Sequence, residues 1–248
     1  ERVLESVPRL KVISRCGAGL DSVDLAAAKK CGIAVFNTPE APAQAVAELT
    51  MGFMLNSMRQ IGMTDRAVRT GEWPRTQGRL LAAQTVGVIG LGHIGRRVAR
   101  LCQAFEATVV AHDPFATQSL DGVTMTPLEQ LLSSADIITL HVPHSAATHH
   151  LLDAKAFAAM KPDAIVINAA RGGLIDESAL AEALQSGKIG AAALDVFEQE
   201  PYQGPLLQFP NVTVTSHVGS LARESRLRME IEAAENLLQG LIQIGAIS

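Results

Sequence analysis

The stretch TVGVIGLGHIG, residues 85–95, decides the fold, because three glycines join an apolar strand directly to the start of a helix. Gly90 permits a tight turn, Gly92 lets the backbone approach a bound group, and Gly95 lets the helix pack closely on the strand. The helix N-terminus adds N–H donors and a partial positive charge, which suit the phosphates of a dinucleotide. Because residues 94–105 carry apolar side chains at helical spacing, we interpret the turn as dinucleotide-binding rather than purely structural.

Outward from this turn, strand and helix patterns alternate along the chain. Strands are predicted near residues 86–90, 108–112, 136–141, 164–168, 190–195 and 212–216. Such alternation is typical of an α/β fold with a doubly wound parallel sheet and right-handed crossovers. Hydrophobic residues make up 48% of the chain and aromatic residues 4%, which favours buried aliphatic strands covered by helices.

The two ends of the chain show a different pattern. Residues 10–15 and 33–37 predict short strands, and we expect a partner segment of their domain to be missing before Glu1. A long helix is predicted over 43–61, followed by an irregular arm over 62–84. A final helix is predicted near 220–241, with Leu227, Ile231, Ala234, Leu238 and Leu241 on one side.

Composition disfavours several classes of function. The net charge is −4 and no basic run occurs, so neither nucleic acid nor an anionic membrane surface is an expected partner. The apolar runs contain glycine and stop short of a membrane span. Three cysteines without metal-ligand spacing suit a reducing compartment, and we predict a cytoplasmic protein.

Polar or glycine-rich elements follow every predicted strand of the sheet. In open α/β sheets, ligands bind beyond the carboxyl ends of the strands, so these elements are expected to share one edge. They are residues 90–95, Asp113, residues 141–143, residues 169–172, Asp195 and His217. The histidines His141, His144, His149 and His150 lack a carboxylate or cysteine set at ligand spacing, so no metal site is predicted.

Asp113 follows the glycine turn at about the 20-residue spacing at which an acidic residue binds the adenosine ribose. A carboxylate there accepts hydrogen bonds from ribose hydroxyls and repels a 2′-phosphate, which favours NAD over NADP. A turn-forming aspartate before Pro114 is the alternative.

Arg171 follows the apolar strand 164–168 and precedes Gly172 and Gly173. A guanidinium fork matches a carboxylate bidentately, and the glycines are expected to leave space for such an anion. The alternative is a structural salt bridge between Arg171 and Asp176.

His217 and Glu200 form the candidate acid/base pair. An imidazole exchanges protons near neutral pH, and a neighbouring carboxylate fixes its tautomer and favours the proton-donating form. The alternatives are a hydrogen-bonded core histidine and a solvated loop acid.

Four motifs together resemble the D-isomer-specific 2-hydroxyacid dehydrogenases. They are GLGHIG (90–95) with Asp113, NAARGGLIDE (168–177), GAAALDVFEQEP (190–201) and SHVGS (216–220). Residues 10–39 resemble the end of that family's substrate domain. The chain is most similar to the phosphoglycerate dehydrogenase branch.

The resemblance implies a Rossmann NAD domain over 45–220, inserted into a flavodoxin-like substrate domain that is represented by 1–44 and 221–248 and looks truncated. It also implies a homodimer formed through the Rossmann domain and the neighbouring arm, which includes Trp73. The implied partner is a small 2-hydroxy or 2-oxo acid.

The resemblance also implies a set of site residues. Arg171 would bind the substrate carboxylate and carbonyl, His217 would be the acid/base, and Glu200 its partner. Residues implied to contact substrate are Arg15, Cys16, Gly17, Ala18, Gly19, Arg171 and His217, with Arg15 and Arg75 placed for a substrate phosphate. Residues implied to contact NAD are Gly90, Gly92, His93, Ile94, Gly95, Asp113, Val142, Pro143, Ala169, Ala170, Arg171, Asp195, His217, Gly219 and Ser220. Among these, Asp195 would contact the nicotinamide carboxamide, and Val142 and Pro143 would line the adenine side.

The expected function is hydride transfer between NAD and a D-2-hydroxy acid, with 3-phosphoglycerate among the candidate substrates. A hydroxypyruvate or glyoxylate reductase is one alternative. A dinucleotide-sensing scaffold similar to the family's corepressors is another, because those proteins keep the same Arg, Glu and His. The formate dehydrogenase branch is disfavoured, because it has glutamine where Glu200 stands.

Overall fold

The computed structural model describes residues 2–116 and 120–246, and it divides the chain into two compact units. The first comprises Glu1–Ala45 and Gly219–Ser248, and the second Val46–Val218. These bounds differ by one or two residues from the domain boundaries expected from the sequence. The identity of the first unit as part of a flavodoxin-like substrate domain stays a prediction.

The helices and strands alternate through most of the chain. In order they are α1 (Arg2–Glu5), β1 (Val12–Arg15), α2 (Leu25–Lys30), β2 (Ala34–Asn37), α3 (Ala43–Arg59), α4 (Ile61–Arg69), β3 (Thr85–Ile89), α5 (His93–Ala104), β4 (Thr108–His112), β5 (Val123–Met125), α6 (Leu128–Ser134), β6 (Ile137–Leu140), α7 (Ala154–Ala159), β7 (Ala164–Asn168), α8 (Glu177–Gln185), β8 (Ile189–Leu194), β9 (Val212–Val214) and α9 (Arg223–Gln243).

The second unit contains a parallel sheet of seven strands in the order β5-β4-β3-β6-β7-β8-β9. After β3, the strands β4 and β5 are added in turn toward one edge of the sheet, and β6 then pairs with β3 on its other side. This reversal is the switch point of a doubly wound fold, beside which ligands bind. The α/β fold with a doubly wound Rossmann sheet is therefore confirmed.

Both faces of this sheet are buried, which explains the continuous apolar runs of its strands. Ile137, Ile165 and Ile167 pack with side chains of α3 and α5 in one core cluster. Ile138 and Val166 pack on the opposite face with α6, α7 and α8. Each fully buried aliphatic side chain stabilises the fold by about 1.5–3 kcal/mol relative to an exposed position.

Two elements of the second unit differ from the expectations. β5 was missed, because three residues are too few for an alternating pattern to indicate a strand. The arm expected over 62–84 begins as the helix α4, which is separated from α3 by Gln60 in a left-handed conformation with φ 53°. None of the residues of α4 is buried, so no core-facing stripe marks it in the sequence.

In the first unit, β1 and β2 form a parallel pair against which α9 packs. The apolar side of α9 expected from the sequence is exposed, since Leu227, Ile231 and Leu238 are 59%, 51% and 53% exposed. The helix instead turns Met229 and Gly240 inward. Gly240 is needed there, since a Cβ would come within 2.8 Å of Val12 and Phe36.

Candidate active site

The glycine turn after β3 has the geometry that each glycine requires. Gly90 adopts φ 95°, and a Cβ there would come 2.5 Å from the carbonyl oxygen of His141. A Cβ at Gly95 would overlap the carbonyl oxygen of Gly90, so any larger residue would push α5 away from β3. A Cβ at Gly92 would meet open space, and no side chain caps the N-terminus of α5 there. This open, uncapped turn fits the pyrophosphate of a dinucleotide.

Asp113 lies beside this turn at the end of β4. Its Oδ2 accepts the Leu91 N–H at 2.8 Å, and its Oδ1 accepts the Phe115 N–H at 2.8 Å. The carboxylate therefore forms the turn suggested by Pro114 and also supports the glycine turn, which the sequence did not reveal. Each carboxylate oxygen has a second lone pair, so these bonds leave acceptor capacity for ribose hydroxyls.

His141 follows β6, where its Nε2 lies 2.9 Å from the hydroxyl of Thr139. Burial lowers the pKa of His141 to about 3, so the ring is neutral near pH 7. Val142 lies against Gly90, and Pro143 is exposed. The structural interpretation of His141 fits this setting better than an acid/base role.

Arg171 is held in place by Asn168, the last residue of β7. The Asn168 side chain accepts the Ala170 N–H at 3.0 Å and donates to the Arg171 carbonyl oxygen at 2.8 Å. Asn168 is 1% exposed, and the Arg171 side chain is partly buried and donates to the Ala170 carbonyl oxygen. Asn168 was missed from the sequence, where a polar residue ending an otherwise apolar strand was its signal.

The interpretation of Gly172 and Gly173 as space for an anion is wrong. A Cβ at Gly172 would collide with the backbone of Phe197 and Glu198, and one at Gly173 would come 2.7 Å from the ring of His144. The glycines therefore let neighbouring loops pack on this turn. Asp176, the alternative partner of Arg171, caps α8 by accepting the N–H groups of Ser178 and Ala179 at 3.0 Å.

His217 and Glu200 are brought together after β9 and β8. The His217 Nδ1 lies 2.9 Å from Glu200 Oε2, while Glu200 Oε1 accepts the Phe197 N–H at 3.1 Å. The His217 side chain is 50% exposed. A bond from Nδ1 to a carboxylate leaves Nε2 as the nitrogen that can exchange a proton with a bound molecule.

Asp195 organises the segment that carries His217. This residue is 1% exposed, and its Oδ1 accepts bonds from the Thr215 hydroxyl and the Val218 N–H. Its carbonyl oxygen accepts the His217 N–H at 2.9 Å. His217 adopts φ 57°, in the left-handed region that few non-glycine residues occupy, and the hydrogen bonds to Asp195 hold this segment in place. The sequence did not indicate that Asp195 supports the His217 segment through these hydrogen bonds. The contact of Asp195 with a nicotinamide stays a prediction.

A cavity of about 660 Å³ opens beside the pair. It is lined by Phe197, Glu200, Pro201, Tyr202, Leu207, Val214, Thr215, Ser216 and His217. The rings of Phe197 and Tyr202 stack with centroids 4.2 Å apart. The pair therefore lies at an accessible surface with an apolar wall.

The remaining candidate residues are distributed over both units. Ala169 is buried beside Ala170, His93 and Ile94 begin α5, and Arg75 is exposed on the arm. Arg15, Cys16, Gly17, Ala18, Gly19, Gly219 and Ser220 belong to the first unit. In that unit the Gly17 N–H donates a hydrogen bond to the Thr38 hydroxyl at 2.8 Å, so this backbone donor already has a partner within the protein. The predicted contacts of these residues with substrate and cofactor stay predictions.

The described ranges hold neither a cluster of metal ligands nor a membrane-spanning helix. Within residues 2–116 and 120–246, no group of three or more His, Cys, Asp and Glu side chains is arranged to hold a metal ion. No helix in those ranges has the length and apolarity needed to cross a bilayer.

Comparison with known proteins identifies the family. The model of the family described as "D-isomer specific 2-hydroxyacid dehydrogenase, NAD binding domain" matches residues 51–219. A D-3-phosphoglycerate dehydrogenase of Archaeoglobus fulgidus is 42% identical over 95% of this chain, which spans 46% of that relative. A hydroxypyruvate reductase of Thermotoga maritima is 40% identical over 96% of this chain and 80% of its own length.

A solved structure is similar over nearly the whole chain. The D-lactate dehydrogenase of Aquifex aeolicus, complexed with NAD and lactic acid, has a TM-score of 0.90 and 31% identity over 98% of this chain and 79% of its own. The chain spans about half the length of the phosphoglycerate dehydrogenases it matches. The family expected from the motifs is confirmed: the chain belongs to the D-isomer-specific 2-hydroxyacid dehydrogenases and contains their NAD-binding domain.

Proposed function

We propose that the protein is an NAD-dependent oxidoreductase that interconverts a D-2-hydroxy acid and the matching 2-oxo acid. The observation that carries the proposal is the His217–Glu200 pair, whose Nδ1 and Oε2 atoms lie 2.9 Å apart. Glu200 follows β8 and His217 follows β9, at the carboxyl ends of strands in the sheet that also carries the glycine turn. This is the edge at which a dinucleotide and its substrate meet in open α/β sheets.

The glycine turn and Asp113 would hold the cofactor. The N-terminus of α5 would face the pyrophosphate, and Asp113 would accept the adenosine ribose hydroxyls. Val142 and Pro143 would line the adenine side. When bound, NADH supplies the hydride at C4 of its nicotinamide.

His217 would donate the proton in the direction of reduction. Its Nε2 gives a proton to the oxygen on C2 as that carbon accepts the hydride, and it takes the proton back in oxidation. Glu200 holds Nδ1, fixes the tautomer and stabilises the imidazolium that precedes donation. Asp195 keeps the His217 backbone in place.

Arg171 would hold the substrate carboxylate and polarise the adjacent carbonyl. Its backbone is fixed by Asn168, so the guanidinium starts from a defined position. A planar fork forms two parallel hydrogen bonds to a carboxylate, which orients C2 for hydride transfer.

The test of this function follows NADH absorbance with D-3-phosphoglycerate, D-lactate, D-glycerate, hydroxypyruvate and glyoxylate, with L-lactate as the control. We expect saturable turnover with at least one 2-hydroxy or 2-oxo acid and none with L-lactate. A preference for D-3-phosphoglycerate would identify that acid as the substrate. NADH binding without turnover of any acid would contradict the dehydrogenase proposal and favour the sensing scaffold.

Asp113→Asn tests the preference for NAD. We expect NADH to bind about tenfold more weakly, because one charge-assisted acceptor for the ribose is lost. NADPH is expected to bind more tightly than to the parent protein, since a charge that repels its 2′-phosphate has gone. The measurement is the dissociation constant of each dinucleotide by fluorescence, with Asp121→Asn as the control. An unchanged ratio of the two constants would contradict the assignment.

The protein is further proposed to form a homodimer through the Rossmann domain and the arm. Trp73 and Leu80 support this proposal, since they are 76% and 70% exposed on the arm. Trp73→Ala is expected to weaken the dimer about 30-fold or more, the effect of losing a central aromatic anchor. Analytical ultracentrifugation measures it, and Phe115→Ala, which removes a side chain that is 89% exposed outside the arm, is the control. Equal dissociation constants for both variants would contradict the role of the arm. Cytoplasmic location stays a prediction.

A further inference from the structure

His150 lies on the segment that follows β6 and runs beside the turn carrying Arg171. Its backbone N–H donates to the Gly173 carbonyl oxygen at 2.8 Å. The Leu152 N–H donates to the Leu174 carbonyl oxygen at 3.0 Å, and the Leu152 carbonyl oxygen accepts the Asp176 N–H at 3.1 Å. His150 adopts φ 50°, so its backbone is bent at the point where this pairing begins. The Arg171 turn is therefore fixed against the His150 segment by backbone bonds.

The His150 ring reaches the segment that carries Glu200. Its Nε2 lies 2.5 Å from Glu198 Oε1, and its Nδ1 lies 3.9 Å from Asp176 Oδ2. The ring also stacks on His149 with centroids 3.9 Å apart. One side chain thus contacts residues that follow β7 and β8, while its own backbone belongs to the segment after β6.

The Glu200 segment is held on this side by contacts of Glu198 and Phe197. The Glu198 N–H donates to Glu177 Oε1 at 2.8 Å, and burial raises the pKa of Glu177. The backbone of Phe197 and Glu198 lies directly against Gly172. Glu198 is two residues from Glu200, so the two side chains belong to one short stretch of backbone.

We propose that His150, through its bond to Glu198, is a positioning residue that fixes Glu200 relative to Arg171. The inference rests on the proposed dehydrogenase function, in which both residues must meet one substrate. His150 touches neither His217 nor the substrate in this role. It acts by setting the distance between the segment after β7, which carries Arg171, and the segment after β8, which carries Glu200.

The His150–Glu198 pair is partly exposed, so its effect on catalysis can be measured apart from its effect on stability. The side chains of His150 and Glu198 are 33% and 40% exposed, and pairs this exposed contribute little to stability. Removing the ring is therefore expected to change the melting temperature little. Catalysis is more sensitive, because a 1 Å misplacement of a reacting group costs roughly 100-fold in rate.

The experiment compares His150→Ala, His150→Gln and His149→Ala. Glutamine keeps an N–H donor for Glu198, and His149→Ala removes the stacked ring without touching that bond. In His150→Ala we expect kcat to fall about tenfold, with KM and the NADH dissociation constant changed less than about threefold. Glutamine is expected to restore most of kcat, and His149→Ala to match the parent protein.

A second readout does not depend on turnover. Hydrogen exchange of the amides in residues 196–202 is expected to speed up in His150→Ala, while residues 212–214 stay unchanged. Glu198→Gln weakens the same pair by removing the charge of its other member. It is expected to give the same change in kcat and in hydrogen exchange, and it replaces His150→Ala as the test if that variant does not fold. Unchanged kcat and exchange in both variants, or a glutamine variant as slow as the alanine variant, would overturn the inference. If the parent protein turns over no acid, the proposed function fails and the exchange data alone decide the positioning role.

Discussion

Replacing His217 by glutamine is expected to lower kcat by about 100- to 10,000-fold, the range contributed by a general acid. Glutamine is close in size and can still donate to Glu200, but it cannot deliver a proton to the oxygen on C2. NADH binding is expected to change little. Steady-state kinetics with the best acid, together with NADH titration, measure both effects.

The control for this prediction is His149→Gln, which changes an exposed histidine outside the His217–Glu200 pair. It is expected to leave kcat within about twofold of the parent value, because the His149 ring packs on His144 and His150 and the bond from His150 to Glu198 remains. A His217→Gln variant with more than a third of the parent kcat would show that another group supplies the proton. Glu200→Gln is expected to lose less than His217→Gln, because the imidazole remains while its tautomer is less strongly fixed.

Arg171→Lys is expected to lower kcat/KM by about 30- to 100-fold, corresponding to about 2–3 kcal/mol of charge-assisted hydrogen bonding. Lysine keeps the charge but loses the planar fork that orients the carboxylate and reaches the carbonyl oxygen. The loss is expected in both kcat and KM, since binding and orientation use the same group. Initial rates over a range of substrate concentrations separate the two.

Arg69→Lys is the matched control, because Arg69 pairs with Asp65 on the exposed helix α4. We expect this variant to retain the parent kcat/KM. Nearly intact turnover by Arg171→Lys with the best substrate would mean that a different residue binds the carboxylate.

The strands of the NAD domain could be predicted because they are buried on both faces and bounded by glycine or polar residues. β7 spans 164–168 as predicted, while β5 lies at the edge of the sheet and its three residues are too few to indicate a strand. The face of α9 could not be predicted from hydrophobicity. It packs through Met229 and Gly240, where close approach matters more than apolar area.

The candidate site was predictable at the level of residue types that follow strands. Sequence indicated His217 and Glu200, but their contact depends on two loops whose conformations no periodicity describes. Asn168 and Asp195 were missed as supports, because each contributes through hydrogen bonds to a neighbouring segment rather than through its own chemistry. The glycines after Arg171 were misinterpreted for the same reason: sequence does not show which backbone approaches them.

Gly172 packs closely against the backbone of Phe197 and Glu198, so the loops after β7 and β8 can be exchanged between relatives only as a pair. A substrate-specificity graft that replaces residues 171–176 with those of a relative must keep glycine at 172 or import that relative's residues 197–200 as well. Directed evolution of this edge is therefore best carried out with libraries that vary both loops together, because changes in one loop alter the sterically allowed sequences of the other.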